Sequence, residues 1–445
     1  MVRGVERKKR MWSLRSTRRL SVCVLSVALT AVLAACGSDL LQILRGAPRA
    51  PTGLGAELVS SSVVELVWKD QSLDEERFEV QRKHADAWET AGSAGANETS
   101  FRDVGLLPER EYSYRVRAVH RDGESAWTDH LAVRTLPRFY AYLADRERGL
   151  VMVNVSSAEA PAATAQWSEA ACARDVAISG GVAFLACDVA GLQLVDVREP
   201  DEPRALAALD TPGYAWGVAV QGDYAYVADH FCGMTVVDVS NPGKPEKIAC
   251  RETAEYAVDI AVSGDSAYVA DYGDGLAVIG ISDPRAPGTP VYCDVRGYAE
   301  AVTVRGDYAY VAVSSGGGTD EPGLAVIDVT DPTAPVPAGA GLQPNAGGVS
   351  AYGVHVEDGT AYLACGEAGL AVIDVEDPGA PGAAVFVDTP GRAMDVTVRD
   401  GLAYVADSAV GVCIVDVTDP AAPRGCGSCQ ARGYAQRIAI DSDQP

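Results

Sequence analysis

The stretch GDYAYVADHFCGMTVVDVSNPGKP, residues 222–245, contains the pattern that decides the fold. An apolar segment that ends in Asp is followed by a short loop, a Gly, a second apolar segment and a turn with two Pro residues. Alternating apolar residues predict short β-strands, and the Gly, Asp and Pro residues between them predict tight turns. The stretch therefore predicts two adjacent strands of an antiparallel sheet.

The first of these segments recurs through the C-terminal two thirds of the chain. Its copies end at residues 145, 187, 229, 271, 313, 365 and 407, so the spacing is 42 residues except for one interval of 52. A fixed period in this range predicts a stacked or closed array of repeats. Each repeat has room for four short strands, which we label A to D from the inner to the outer side.

The third strands of these repeats carry a recognisable motif. Segments such as GLQLVDV, GMTVVDV and GLAVIDV, with the D-x-x-x-P-x-x-P loops after them, resemble the LVIVD repeat family of bacterial and archaeal cell-surface proteins. The resemblance covers 138–440 and implies a β-propeller and a surface location, but no established reaction. Seven repeats favour a closed ring of seven blades, because closure removes exposed sheet edges.

The two ends of the array predict how the ring closes. The chain enters at a second strand, FYAYLAD, and leaves at a first strand, YAQRIAI. Strand Tyr434–Ile440 should therefore complete the first blade beside Tyr140–Asp145. The propeller is expected to occupy 138–445.

An independent module precedes the repeats at residues 48–137. Val64, Leu66 and Trp68 alternate along one strand, and Leu107-Pro108 precedes Tyr112. This segment resembles a fibronectin type III domain, with Trp68 as the core Trp and Tyr112 in the tyrosine corner. The predicted fold class is thus all-β, with a sandwich followed by a propeller. Such modules serve as spacers and as binders alike.

The N-terminus predicts secretion and lipidation. A basic segment, an apolar run of about 14 residues and Leu33-Ala34-Ala35-Cys36 follow one another, and the run is too short to span a bilayer. The last four residues are similar to the bacterial lipobox, in which the Cys is lipidated. We expect a signal peptide at 1–35, lipid on Cys36, a linker at 36–47 and, from Gly37, an outer-membrane location in a bacterial envelope.

The charge excludes some partners. The chain has a net charge of −24, which becomes about −31 without the eight basic residues and one Glu of 1–35. Such a surface repels nucleic acid and anionic lipids, so the lipid anchor is the only membrane contact expected. Cationic ligands, metal ions and basic partners stay open, and we expect a monomer.

We expect the candidate site on one face of the ring. The B–C loops and D-to-A connections share a face, and the long repeat extends both at Ser314–Gly323 and Pro344–Ser350. Loops on a rigid scaffold often bind ligands, although a tolerated Gly-rich insertion explains the length equally well. Arg305-Gly306-Asp307, an integrin-type tripeptide, aligns with the A–B turns on the other face.

Residues at the mouth of this face are the ligand-binding candidates. They either open the inner strands or end the second strands: Tyr214, Tyr256, Tyr298, Tyr434, Ser350, Arg392, Asp229, His230, Asp271 and Asp407. Tyr rings with carboxylates suit a polar or cationic ligand. The structural alternative is that the repeat itself needs these Tyr and Asp residues, so Arg392, His230 and Ser350, which depart from it, are the better candidates.

The chemistry of the remaining residues is sparse. We find no catalytic constellation, and we predict no metal and no cofactor. Cys172 falls opposite Cys187 in the expected hairpin, and Cys426 is followed by Cys429, so both pairs are possible disulfides.

These observations favour a non-enzymatic, lipid-anchored protein of the cell surface or periplasm. The outward face of its propeller would bind a protein, a glycan or a small ligand. The alternative is a propeller enzyme, such as a hydrolase, a lactonase or a quinoprotein-like oxidoreductase, with a metal or cofactor in the central mouth.

Overall fold

The computed structural model describes residues 47–59, 63–72, 74–84, 87–135, 138–169, 172–316, 321–338, 348–431 and 433–441. The signal segment 1–35, Cys36 and nearly all of the linker 36–47 lie outside these ranges. The chain divides into two compact units, Met1–Pro137 and Arg138–Pro445. All regular elements of the described ranges are strands, and these ranges contain no helix long and apolar enough to cross a membrane.

The first unit is a two-sheet sandwich. One sheet has the order β1-β2-β5, and the other has the order β4-β3-β6-β7 with β8 also on β6. Its strands are β1 (Thr52–Val59), β2 (Val63–Lys69), β3 (Arg77–His84), β4 (Ala87–Gly95), β5 (Ser100–Val104), β6 (Glu111–His120), β7 (Gly123–Glu124) and β8 (Leu131–Arg134). Trp68, Phe78 and Tyr114 fill the core between the sheets. The Leu107 N–H donates a hydrogen bond of 2.9 Å to Tyr112 Oη, as expected of a tyrosine corner.

The second unit consists of seven four-stranded antiparallel sheets. Blade 1 contains β36 (Ala435–Ile440), β9 (Tyr140–Asp145), β10 (Gly149–Asn154) and β11 (Ala162–Trp167); blade 2 contains β12 (Asp175–Ser179), β13 (Val182–Ala186), β14 (Leu192–Asp196) and β15 (Arg204–Leu209); blade 3 contains β16 (Gly217–Gln221), β17 (Tyr224–Ala228), β18 (Met234–Asp238) and β19 (Glu246–Arg251). Blade 4 contains β20 (Asp259–Ser263), β21 (Ser266–Ala270), β22 (Leu276–Gly280) and β23 (Val291–Cys293); blade 5 contains β24 (Tyr298–Arg305), β25 (Tyr308–Ser314), β26 (Gly323–Asp328) and β27 (Val336–Pro337). Blade 6 contains β28 (Gly353–Glu357), β29 (Thr360–Ala364), β30 (Leu370–Asp374) and β31 (Val385–Val387); blade 7 contains β32 (Asp395–Arg399), β33 (Leu402–Asp407), β34 (Gly411–Asp416) and β35 (Arg424–Gln430). The four strands of each blade run from the inner to the outer side in the order A to D.

The ring is closed by the last strand, as the sequence predicts. Strand β36 pairs antiparallel with β9, from Ala435 opposite Asp145 to Ile440 opposite Ala141. The inner strands contact one another in a complete cycle of β36, β12, β16, β20, β24, β28 and β32. The propeller therefore has no open inner end.

The core of the ring lies between the blades rather than within them. Seven clusters of buried apolar side chains each combine residues of two adjacent blades, one cluster for every interface. The B strands are buried on both sides, which explains their unbroken apolar segments such as YAYVA in β17. Hydrophobic burial thus holds neighbouring blades together all round the ring.

The two faces of the ring carry the loops that the repeat pattern predicts. Arg305 pairs with Tyr308 across an A–B hairpin turn in which Gly306 has a φ of +57°. Arg305 Nε donates a 2.8 Å hydrogen bond to Val356 O of the next blade, so this Arg is bound within the scaffold. On the other face, which we call the outward face, B–C loops pair with the connections that enter the next blade.

Closure by β36 is open to a direct test. A chain that ends at Ala431 lacks this strand, so it exposes the edge of β9 and opens the apolar clusters on both sides of blade 1. We expect the free energy of unfolding of the propeller to fall by about 4 kcal/mol or more, from lost burial and lost ladder hydrogen bonds. Urea unfolding and limited proteolysis measure this effect.

The matched control is a chain that ends at Asp441, which keeps β36 and loses only the residues after it. Equal stability of the two shortened chains would show that the ring does not depend on its closing strand.

Candidate functional site

The outward face is organised by one bridge that recurs between blades. In five blades a residue of the B–C loop adopts a positive φ and pairs with an Ala at the start of the next blade, in the pairs Asp188–Ala215, His230–Ala257, Tyr272–Ala299, Gly366–Ala393 and Ser408–Ala435. The residue before that Ala is one of the predicted candidates. The bridge therefore places two side chains from neighbouring blades next to each other.

Between blades 3 and 4, and again between blades 4 and 5, both of the side chains that the bridge brings together are rings. These rings, His230, Tyr256, Tyr272 and Tyr298, form a continuous aromatic arc with Trp216 of blade 3. His230 stacks on Tyr256 at 4.4 Å between ring centroids, and Tyr272 stacks on Tyr298 at 4.2 Å with an interplanar angle of 1°. Trp216 lies 4.4 Å from His230, and Tyr256 lies 6.3 Å from Tyr272. These distances are those of attractive ring pairs.

The rim of the arc is exposed to solvent. Tyr214 is 38% exposed, Phe231 is 52% exposed and Tyr256 is 43% exposed. Tyr214 and Phe231 pack edge to face at 5.0 Å, so they extend the arc outwards. Exposed aromatic groups of this kind on a rigid face are typical of binding surfaces.

Two polar atoms inside the arc have no hydrogen-bond partner among the described residues. They are Trp216 Nε1 and His230 Nδ1, and both atoms are buried. Buried polar atoms without partners are uncommon in folded proteins. The arc thus offers hydrogen-bonding groups in addition to ring faces.

Charged groups flank both ends of the arc. Arg174 stacks 4.0 Å over the Trp216 ring and forms a 2.7 Å ion pair with Asp188. Burial, followed by the charge of Arg174, lowers the pKa of His230, so its imidazole is neutral at neutral pH. At the other end, burial raises the pKa of Tyr272, and the nearby carboxylates of Glu300 and Glu255 raise it further.

The other candidates at the mouth do not join the arc. Arg392 lies 5.6 Å over the ring of Tyr352 and 3.5 Å from a carboxylate oxygen of Glu367. Tyr434 contacts the sulfur of Met394. The bridge positions beside Arg392 and Tyr434 are Gly366 and Ser408, which supply no ring, and this explains why the arc does not continue there.

The two insertions of the long repeat do meet on the outward face. Ser315 N–H donates a 3.1 Å hydrogen bond to Ser350 Oγ, and Ala351 N–H donates to Val313 O. Residues 317–320 and 339–347 lie outside the described residues. Ser350 therefore connects the insertions, while its role toward a ligand stays a prediction.

The three Asp candidates belong to the scaffold, which corrects their assignment as ligand-binding residues. Asp229, Asp271 and Asp407 are fully buried, and each accepts hydrogen bonds from the connection that enters its own blade. Asp229, for example, accepts bonds from the Thr211 hydroxyl at 2.7 Å and the Thr235 hydroxyl at 2.8 Å. The structural alternative for the repeated Asp is therefore the correct one.

A second group of charges, which sequence reasoning missed, lies at the centre of the ring. Asp175, Asp259 and Asp395 occupy the same position of inner strands β12, β20 and β32. Each carboxylate accepts the backbone N–H of the next blade, at 2.8 Å from Val218, 2.8 Å from Val302 and 3.0 Å from Ile438, respectively. These bonds connect the inner edges of three pairs of blades.

Arg437 of the closing strand occupies the equivalent position in blade 1. Its guanidinium donates 2.9 Å hydrogen bonds to Tyr352 O and Glu300 O, and it lies 3.6 Å from Asp395 Oδ1. A β-bulge at Gln436 precedes it, and bulges re-aim the side chains that follow. One cation thus reaches across the centre of the ring to carbonyls of blades 5 and 6.

The electrostatics of this centre favour partial protonation. Burial, and then the charge of Asp259, raise the pKa of Asp175 to about 7, although Arg437 opposes the shift. Burial raises the pKa of Asp395 to about 6, again against Arg437. For Arg437, burial lowers the pKa but the surrounding carboxylates outweigh it, so the guanidinium stays charged.

The sequence does contain a signal for this group. The central column reads Asp175, Gly217, Asp259, Ala301, Gly353, Asp395 and Arg437, three residues after the column of mouth candidates. Charged residues at a position of the inner strands where other blades have Gly or Ala cannot belong to an apolar core. Comparison of columns one by one, rather than of motifs, would have found them.

Both predicted disulfides are absent, and all four cysteines are free. The hairpin turns at Gly180-Gly181, so the register continues with Arg174, not Cys172, opposite Cys187. Cys172 N–H instead donates to Arg146 O of the preceding blade. Cys426 and Cys429 share strand β35, where three residues span about 10 Å, beyond the reach of a disulfide.

Groups of three or more His, Cys, Asp or Glu that could hold a metal ion do not occur among the described residues. What the outward face presents instead is ring faces, two unpartnered polar atoms and carboxylates at one end. Chemically, this arrangement is suited to stacking and to holding a ligand with positive charge.

Fold and site together define a scaffold of the propeller class, in which a closed ring presents a loop face and a sandwich module precedes the ring in the chain. The family comparison then gives the identity of the repeats. A model of the LVIVD repeat matches residues 139–163, 171–211, 212–249, 254–294, 296–340, 348–389 and 390–431, and the chain belongs to this family. A fibronectin type III domain matches residues 49–134. No curated protein matches the chain significantly.

Solved structures resemble the sandwich. A crystal structure of titin domains is 25% identical, with a TM-score of 0.19, over 20% of this chain and 32% of that one. A domain of human fibronectin type III domain containing protein 3 is 13% identical, with a TM-score of 0.19, over 21% and 89%. The FN5 domain of Drosophila Lar is 20% identical, with a TM-score of 0.18, over 20% and 97%. The chain spans about a third of the titin structure.

The raised pKa of Asp175 predicts a pH-dependent effect of Asp175→Asn. The pKa of Asp175 in the folded state, about 7, lies above the ordinary 3.8, so binding of a proton to Asp175 stabilises the folded wild type. This stabilisation is lost as the pH rises from about 4 to about 7. Asn cannot ionise and still accepts the Val218 N–H. The stability of the variant relative to the wild type should therefore increase through this window and level off above it.

Urea unfolding at a series of pH values measures this difference. The control is Asp196→Asn in an exposed turn, where a hydrogen bond from Arg198 lowers the pKa to about 2, so its difference should be flat from about pH 5 upwards. If the stability difference between Asp175→Asn and the wild type were also independent of pH, the raised pKa of Asp175 would be contradicted.

Proposed function

We propose that this protein is a lipid-anchored envelope protein whose outward propeller face binds a ligand with a positively charged amine group. Fibronectin type III domains and LVIVD repeats are typically non-catalytic, which supports a binding role. The anchor rests on the sequence around Cys36. The ligand class rests on the aromatic arc and on the carboxylates beside it.

The observation that carries the proposal is the continuity of the aromatic arc. Structural need alone does not explain it, because blades 6 and 7 form the same bridge with Gly366 and Ser408. Rings at these positions in blades 3 and 4 are therefore additions to the repeat. The exposed faces of these rings lie on the outward face of the propeller.

The charge distribution favours a cationic ligand over a neutral one. Ring faces of Trp and Tyr attract cations, and the Arg174 side chain already uses the Trp216 face in this way. Glu255 and Glu300 lie near Tyr272. Glu300 is also held by a hydrogen bond from Ser314 and lies near Arg437, so Glu255 is the carboxylate of this end that a ligand would meet. The net charge of −24 adds long-range attraction for positive ligands.

The anchor predicts a change in location for Cys36→Ser. In a bacterium with an outer membrane, the wild-type chain should incorporate labelled fatty acid and fractionate with membranes. The variant should lose the label and shift to the soluble fraction, because acyl chains supply membrane affinity. Cys23→Ser, within the apolar run, is the control and should behave as the wild type; equal membrane partition of all three chains would contradict lipidation.

The ligand class predicts that the protein binds choline more tightly than its neutral isostere 3,3-dimethylbutanol. Tyr256→Ala should weaken choline binding by about three- to thirtyfold, which corresponds to the loss of one cation–π contact. Calorimetry or tryptophan fluorescence measures the affinity. Added salt should weaken binding further, because the carboxylates contribute.

Tyr434→Ala is the matched control, since Tyr434 occupies the same repeat position outside the arc, and its effect should be small. Equal binding of choline and the neutral isostere, or equal effects of the two Tyr variants, would refute the cationic ligand. Binding of a neutral oligosaccharide without binding of choline would replace it with a glycan.

A further inference from the structure

The B–C loop of blade 3, which carries part of the aromatic arc, also contains a cysteine, and the thiol of a second cysteine contacts its backbone. Cys232 follows His230 and Phe231 in the B–C loop of blade 3, and Cys250 lies on the outer strand β19 of the same blade. The Cys250 sulfur is 3.5 Å from Cys232 O. Cys250 is exposed and Cys232 is partly exposed, so both thiols are accessible to reagents.

The pairing of the strands holds these two residues together. Strands β18 and β19 pair with Met234 opposite Arg251 and Thr235 opposite Cys250. The end of the loop is packed against the outer strand, because a Cβ on Gly233 would overlap Arg251 O. The backbone pairing therefore keeps the two residues close, and the Cys250 side chain makes the contact.

We infer that Cys232 and Cys250 are a disulfide site that closes when the protein meets a disulfide oxidant. The Cys250 thiolate attacks the oxidant and forms a mixed disulfide, with release of one thiol. The Cys232 thiolate then attacks Cys250 sulfur and displaces the second thiol. Two protein S–H bonds are replaced by one S–S bond, and the oxidant S–S bond is broken; the two protons pass to its two leaving thiolates, so the oxidant disulfide is reduced to two thiols.

The remaining described cysteines are worse placed for this reaction. Cys187, Cys293, Cys365, Cys413 and Cys429 are buried, and the partly exposed Cys426 has its sulfur against Arg424 O rather than against another cysteine. Burial raises the pKa of the Cys187 thiol to about 12, so Cys172, although exposed, has an unreactive neighbour. Cys232 and Cys250 are the pair in which both thiols are accessible and one sulfur already touches the other residue.

The bond would close a loop of 18 residues and fix the segment that holds His230 and Phe231. It would tie this part of the outward face to the outer edge of blade 3. The inference concerns the thiols alone, so it stands or falls independently of the ligand proposed above.

Peptide mapping of the purified full chain tests the inference. The chain is incubated with oxidised glutathione, remaining thiols are blocked with iodoacetamide, and trypsin digestion follows without reduction. Trypsin separates Cys232, in peptide 205–247, from Cys250, in peptide 248–251, because Lys244 precedes Pro245 and is not cleaved. We expect the two peptides linked, with complete loss of iodoacetamide labelling at both cysteines.

Two variants and one condition make the outcome decisive. Cys232→Ser should leave glutathione on Cys250, and Cys172→Ser should leave the linked peptides unchanged. Linkage should be at least tenfold faster in the folded chain than in the urea-unfolded chain. Glutathione on both Cys232 and Cys250 without linked peptides, unchanged labelling of both, or equal linkage rates with and without urea would overturn the inference.

Discussion

A hydrogen bond from the backbone of one blade to an inner-strand carboxylate of the blade before it joins the ring at its centre, at three of the seven blade interfaces. The inner strand of a blade has one free edge, and its N–H groups point to the centre, where no further strand pairs with them. Asp175, Asp259 and Asp395 satisfy three of these groups with bonds of 2.8 to 3.0 Å. The third of these bonds ends on Ile438 of the closing strand, so the same device that joins blades 2 and 3 also closes the circle.

The binding face follows from a different constraint, the bridge between a B–C loop and the next blade. This bridge requires a positive φ at one residue, which favours Gly, as at Gly366. His230 and Tyr272 adopt it with φ values of +50° and +44° and therefore carry strain that a Gly would avoid. Side chains retained at strained positions, in contact with exposed rings, are more simply explained by function than by folding.

The sequence predicts the architecture nearly completely but the site only in part. The period of 42 residues and the unmatched terminal strands gave the number of blades and the closure, because both depend on pattern alone. The disulfide at Cys172 failed because a one-residue shift of the hairpin turn changes the pairing by two residues, so that Arg174 lies opposite Cys187. The Asp candidates failed because repetition marks a structural requirement, and here the requirement is a buried acceptor for the Thr and Gly of the connection that enters the same blade.

The composition of the central column can also be explained by packing. A Cβ on Gly217 would lie 2.8 Å from Asp259 Cα, and one on Gly353 would lie 2.6 Å from Asp395 Cα. The backbone of each of these two Asp residues therefore admits only a small residue at the same position of the preceding blade. The position between Asp395 and Asp175 is instead occupied by Arg437. One guanidinium on the bulged closing strand thus lies between two acidic positions, and the strand that completes the ring supplies the cation at its centre.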